Sequence, residues 1–439
     1  MIHLDRRGER HSTDSAQSVA IYDQVLEMFN GFRLDPLAAL QPALDADPDY
    51  ISGHLMQAAL LLSVYDAQVL PMAQASLAAA AASRHQATER ERSLHAALLP
   101  WANGKLDKGH RDLDRHLLDH PRDLLALQLA HLGDVALGRT MMLHDRIARA
   151  WPSWGTGDAG YGYLLGMKAF GLEENGQYAL AEELGRRAVE LEPRDAWAVH
   201  AVAHVCQMQG RAAEGIEWLN RTRPDWSQDN GMAVHNFWHT ALMYLTVGDR
   251  TAVLRLYDQC IAPKPESLVL DYIDSTALLW RLKLLGIDVG DRWRVIASYW
   301  KTSAALGFAA FTDAHAALAF AAVGDVEGLS AMESQARTAS EGRGSYPAWG
   351  AVVVPLCQAL TALVSNAPGR CAELLVPLLS IGQVLGGSHA QRQILLLTAR
   401  EAAIRSGRGE VAAALEAQRQ STHVMSAWPG SGRGALAAG

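Results

Sequence analysis

The chain has 439 residues, of which 49% are hydrophobic and 20% charged, and a formal net charge of −8. That balance suits a well-buried globular protein and leaves no basic excess to neutralise phosphates, so a nucleic-acid partner is not expected. Cys206, Cys260, Cys357 and Cys371 are scattered without a CxxC pair, and the polar N-terminus lacks the apolar core of a signal peptide; both features suit a cytoplasmic protein with reduced thiols.

In chain order, residues 1–13 read as a flexible arm. Residues 14–31 with 36–46, and 50–65 with 68–83, read as two helical pairs broken at DADPDY (45–50). The charged stretch TERERSLH (88–95) reads as a solvated helix start. From there a repeat takes over. A glycine follows an apolar run at Gly104, Gly138, Gly176, Gly210, Gly248, Gly286 and Gly324, at intervals of 34, 38, 34, 38, 38 and 38 residues. Such a glycine permits the chain reversal after a helix. Pro121 in HPRD and Pro193 in EPRD stand 72 residues apart, and in each the proline stops a helix and the following aspartate caps the next. Beyond Gly324, helices are expected at 326–339, 346–365, 368–381, 388–406 and 409–420, and no strand of convincing length is visible. Residues 344–369 are uncharged, but Pro347, Pro355, Gln358 and Ser365 interrupt the run, which reads as a buried helix and not as a membrane span. The Gly/Ala-rich end, 426–439, reads as a flexible tail.

Helix–turn–helix units at a period near 34 are the tetratricopeptide pattern. The expected fold is all-α, a single α-solenoid of such units over 14–425, wound as a right-handed superhelix. In that register the inner helices present Tyr163, Phe170, Glu173, Trp197, His200, His204, His235, Trp238 and Trp280 to one concave groove, with His239 one step round its helix. Aromatic walls with a few polar groups are the usual make-up of a ligand pocket. His200 and His204 are spaced four apart on one helix face and can share a metal or a substrate, whereas His239 suits a packing position. Each also has a plainer reading as a hydrogen-bonded core residue. HxxxH alone is a weak metal signature, and HEXXH, phosphate-loop, GxSxG and GxGxxG motifs are absent. Asp313 and His315 are too close in sequence to face one another on a helix. In GGSHAQR (386–392), Ser388 is a plausible N-cap, and His389 with Arg392 in the first turn suits an anion at the helix N-terminus.

The stretches YGYLLGMKAFGLEENGQYALAEELGRRAVELEPRDAWAVHAVAHVCQMQGRAAEGIEWL (161–219), HNFWHTALMYLTVGD (235–249), DSTALLWRLKLLGIDVGDRW (274–293) and GGSHAQR closely resemble the tetratricopeptide repeat protein 38 family, as do TERER and HPRDLLALQLAH (120–131). The resemblance spans residues 20–415. It implies an all-helical array of tetratricopeptide-like units and brings no established activity. Cys206-Gln207 stands where the family form has Leu-Glu, which weakens any catalytic role for position 207.

Three functions are compatible with these features. The first is binding of a small molecule or short peptide in the histidine-lined groove by Tyr163, Phe170, Trp197, Trp238, Trp280, His389 and Arg392. The second is an enzyme using His200, His204, His235, His239 and Glu173 as acid–base groups, or a metal held by some of these histidines. The third is a structural or oligomerising scaffold. No membrane partner is expected, self-association is compatible with the pattern, and the sequence names no cofactor.

Overall fold

The computed structural model describes residues 2–264, 267–303, 305–342 and 347–422. The tail 426–439 and most of the loop 342–347 lie outside them. The described residues are built almost wholly from helices, and no helix among them is long and apolar enough to cross a membrane. The uncharged stretch instead forms a π-helical turn, Trp349–Val353, running into the buried helix Val354–Val364.

The seven glycines spaced 34 or 38 residues apart each separate two helices and all lie at positive φ, between 64° and 85°. At Gly104, Gly176, Gly210, Gly248, Gly286 and Gly324 the next residue's N–H reaches back to the carbonyl five positions earlier, as Gln177 does to Leu172 and Arg211 to Cys206. This closes the orphan carbonyls of the helix end. A Cβ at Gly104, Gly176, Gly248 or Gly324 would meet nothing within 4 Å, so glycine is required there for its backbone angle and not for space.

The helices divide into two compact units where the sequence reads as a single array. One comprises the chain up to Val135, Thr140–Val202 and Thr222–Ala233; the other comprises Ala136–Arg139, Ala203–Arg221 and the chain from Val234. The division passes inside the helix Ala196–Met208, so no linker or change of composition marks it. The expected helix 368–381 stops at Leu375 and continues as a 3-10 turn, Val376–Ser380, because Pro377 cannot donate to the helical ladder.

In the first unit residues 1–13 are not a free arm. Ile2–Leu4 pairs antiparallel with Arg10–Ser12, a hairpin too short and too charged to show a strand pattern. Charge ties it down. Arg7 bonds Asp5 at 2.7 Å and Asp23 at 2.5 Å, and Ser12 Oγ donates to Glu91 at 2.6 Å. Glu91 and Arg90 belong to TERER, which is therefore not a solvated face: both side chains are buried, while Glu89 and Arg92 are exposed. Glu91 also closes a capping box with Thr88 and accepts from Ser52 at 2.6 Å. Arg90 donates to Asp123 at 2.8 Å and to Ser52 at 3.0 Å.

Removing one partner of a buried ion pair strands the other. Arg90→Ala is therefore expected to cost about 3–5 kcal/mol in urea denaturation, because Asp123 is left buried without its cation. Glu89→Ala, one residue earlier and exposed, should stay within about 0.5 kcal/mol of wild type.

Candidate functional site

The two histidine helices, Ala196–Met208 and Ala233–Thr246, are buried on nearly every face. On the first, Val199, Val202, Ala203 and Cys206 are buried, and so are Trp197, His200 and His204, which were expected to face a groove. On the second, every residue from His235 to Met243 is buried. Tyr163, Phe170, Glu173, Trp238 and Trp280 are buried as well, so the expected aromatic walls line the interior and not an open concave surface. A helix with small or apolar residues all round its circumference packs on all sides.

Tyr163, Phe170, Glu173, Trp197 and His200 fall in the first unit; His204, His235, Trp238, His239, Trp280, His389 and Arg392 fall in the second. Within the first unit the Trp197 and Phe170 rings lie 4.6 Å apart and His200 stacks on Phe170 at 5.3 Å. Trp197 Nε1 donates to His131 at 3.1 Å, and burial pushes that imidazole down to about 3, so it stays neutral and accepts. This is a packed aromatic cluster. Tyr163 sits apart from it, its hydroxyl donating to the Glu27 carbonyl at 3.3 Å, beside a cavity of about 150 Å³ that Glu192 and Tyr161 also line.

The second unit holds a polar chain. Asp274 Oδ2 receives His235 Nδ1 at 2.8 Å; His235 Nε2 faces His239 Nε2 at 3.3 Å; His239 Nδ1 meets Gln207 Oε1 at 2.8 Å. His204, one helical turn beyond His200, brings its ring to 4.4 Å from that of His239. Nitrogens of His204, His235 and His239 lie within 4.8 Å of one another. Local sequence sets this up: spacing by four puts His235 and His239 on one face, and the helix Val269–Leu284 carries Asp274 to meet them. The tautomers follow from the partners. A carboxylate and an amide oxygen only accept, so both Nδ1 atoms carry hydrogens. Both Nε2 atoms then present lone pairs to each other, an arrangement that calls for a cation or a shared proton between them.

Gln207 thus takes part, as a second-layer acceptor, and His239 belongs to the centre although its register position suits packing. Asp274 was not singled out by the sequence, because no local pattern ties it to His235, 39 residues away. Trp280 is a packing residue, its Nε1 donating to Thr398 at 2.9 Å. Ser388 caps its helix through a capping box with Gln391, and His389 meets Arg392 at 3.3 Å while Arg392 also bonds the Gly387 carbonyl, so this pair braces its own loop. Asp313 accepts from Gly307 N–H at 2.8 Å and from Trp349 Nε1 at 2.7 Å, and His315 donates to the Phe311 carbonyl at 2.8 Å. No protein-family model matches the chain.

The two aspartates that follow Pro-Arg in HPRD and EPRD differ instructively. Asp123 and Asp195 both cap helices, Asp123 from Ala126 N–H at 3.1 Å and Asp195 from Trp197 and Ala198 N–H at 3.0 Å. The Arg90 guanidinium and His116 hold the Asp123 carboxyl far below the usual range against the cost of its burial. Asp195 has no cation: burial pushes it up to about 8, and Oδ2 has no partner. A carboxyl whose folded pKa is raised contributes stability that is full below its unfolded value near 4 and is lost as pH rises through about 8. The Asp195→Asn amide keeps the capping oxygen and cannot ionise. Its melting temperature is expected to fall less than that of wild type between pH 5 and pH 8, the difference corresponding to on the order of 4 kcal/mol. Parallel pH curves for the two proteins would show that the carboxyl is already ionised at pH 5.

Proposed function

We propose that this chain is a metal-binding helical protein in which His204, His235 and His239 hold a divalent transition-metal ion of the zinc type, acting as a Lewis acid on a small molecule. One observation carries the reading: His235 and His239 have their Nδ1 hydrogens pinned by Asp274 and Gln207, which turns two Nε2 lone pairs toward each other at 3.3 Å. Two nitrogens bound tetrahedrally to an ion at 2.0–2.1 Å stand about 3.3 Å apart. A carboxylate behind a ligating histidine is the usual second layer of such a centre, fixing the ring and raising its basicity. His204 completes three ligands after a rotamer adjustment.

The ligand set also bears on the role. Structural zinc sites draw heavily on cysteine and close four positions, whereas three protein ligands leave one for water or substrate. Cys206, next to the site on the first histidine helix, is not among the ligand atoms that converge. An ion at the open position would polarise a carbonyl or phosphoryl oxygen, or lower the pKa of bound water. The burial of Tyr163, Phe170, Trp197, Trp238 and Trp280 lends less support to a peptide held along an exposed groove. The finer fold reading, a tetratricopeptide array in a right-handed superhelix akin to the tetratricopeptide repeat protein 38 family, is supported by the seven glycine turns and is part of this proposal.

Metal analysis of the purified protein tests it. The wild type is expected to carry, or take up, about one zinc or cobalt ion per chain, the cobalt form showing the visible absorption of a tetrahedral site. His235→Ala and His239→Ala should lose it. Asp274→Asn should retain the ion with affinity weakened about 10–100-fold. His315→Ala, elsewhere in the same unit, should bind as wild type. A wild type that takes up neither metal would leave the histidine pair sharing a proton and overturn the reading.

A further inference from the structure

Six arginines in the described residues are buried: Arg7, Arg90, Arg146, Arg281, Arg400 and Arg419. Five of them touch carboxylates. Arg7 has Asp5 and Asp23, Arg90 has Asp123, Arg146 has Asp134 and Asp114, and both Arg400 and Arg419 have Glu416. Arg281 is the exception. At 1% exposure its guanidinium donates only to two backbone carbonyls, Ala277 at 3.0 Å and Ala390 at 2.6 Å. No carboxylate among the described residues lies within ion-pair distance of it. Asp274, two turns earlier on its helix, attracts it but is taken by His235. Burial accordingly pulls the Arg281 guanidinium down to about 9, whereas those of Arg7, Arg90 and Arg146 are raised by their partners.

An arginine offers five N–H donors in a planar fork, and a buried cation left without an anion is costly. Its location suggests what the fork awaits. The guanidinium lies over the Trp238 ring, 5.2 Å from its centroid, and that ring stacks on His235 with centroids 5.3 Å apart and planes 15° from parallel. Trp238 Nε1–H, in the same stack, is buried and has no acceptor. A cation with no carboxylate to neutralise it and a neutral donor with no acceptor thus stand beside the histidine centre, in the same unit.

We propose that Arg281, with Trp238, anchors a small oxyanion beside the histidine centre, so that the molecule acted on there carries a carboxylate or phosphate group. The planar fork matches either group bidentately. The anion site rests on Arg281 and Trp238 alone; only its service as a substrate anchor rests on the metal reading above. Arg281 is here a binding residue, one step removed from the ligands.

Thermal melting of the full chain tests this, with inorganic phosphate, acetate or chloride as probes at equal ionic strength and at tens of millimolar. Phosphate or acetate is expected to raise the melting temperature by about 2 °C or more over chloride, and which of the two does so identifies the group. Arg281→Met strands no carboxylate, so in chloride it should melt at or above the wild-type temperature, and its anion response should vanish. Arg281→Lys keeps the charge without the fork and should show a smaller rise, which gives a second readout if the methionine variant folds poorly. No anion-specific rise in wild type, or an equal rise in Arg281→Met or Arg281→Lys, overturns the proposal. The same melts on chelated protein and on His235→Ala separate the two readings. A rise that persists there shows that the anion site stands without the metal; a wild type that shows the rise but takes up no metal keeps the anion site and removes the metal reading, and metal uptake by a wild type that shows no rise does the reverse.

Discussion

A histidine on a helix that is buried all round has no water to bond with. That constraint organises the second unit. His235 and His239 have acceptors at their Nδ1 atoms, Asp274 and Gln207, and face each other at Nε2. Once both outer hydrogens are committed, the inner pair of lone pairs is a consequence of valence, and a cation or a shared proton between them relieves it. Trp238 is locked into the same unit by its stacking on His235, and Arg281 lies over its ring.

The same accounting explains why chemically identical groups behave differently in this chain. Asp123 and Asp195 start equivalent helices and cap them alike, yet one is held ionised by Arg90 and His116 and the other is pushed up to about 8 by burial without a cation. Arg90 and Arg281 are both buried, yet one has a carboxylate partner and one does not. Desolvation is similar within each pair; the presence of an opposite charge decides the outcome. Unbalanced groups of this kind cost stability, and where several gather they mark a place built for something other than packing.

The turns were legible in the sequence because their cause is local. A residue at positive φ after a helix must be glycine or nearly so, and seven glycines in register needed no knowledge of what packs where. The caps at Asp123, Asp195 and Ser388 were legible for the same reason. TERER and the N-terminal hairpin were misread because their cause is remote. Glu91 is buried by bonds to Ser12, 79 residues away, and a charged residue looks solvated until its distant partner is known. The groove residues were expected to be open to solvent from the geometry of a tetratricopeptide array, which does not say how tightly successive helices pack, and they are buried.

The sequence by itself therefore determined an all-helical chain, the places where helices stop and start, and which helices carry the histidines, since each depends on sterics and hydrogen bonding within a few residues. Only the tertiary structure decided that those helices are buried on nearly every face, that Asp274 and Gln207 pin the outer nitrogens of His235 and His239, and that Arg281 alone among the buried arginines in the described residues lacks a carboxylate. Each of these is a statement about pairing across the fold, and a partner tens of residues away leaves no mark on the local pattern of the chain.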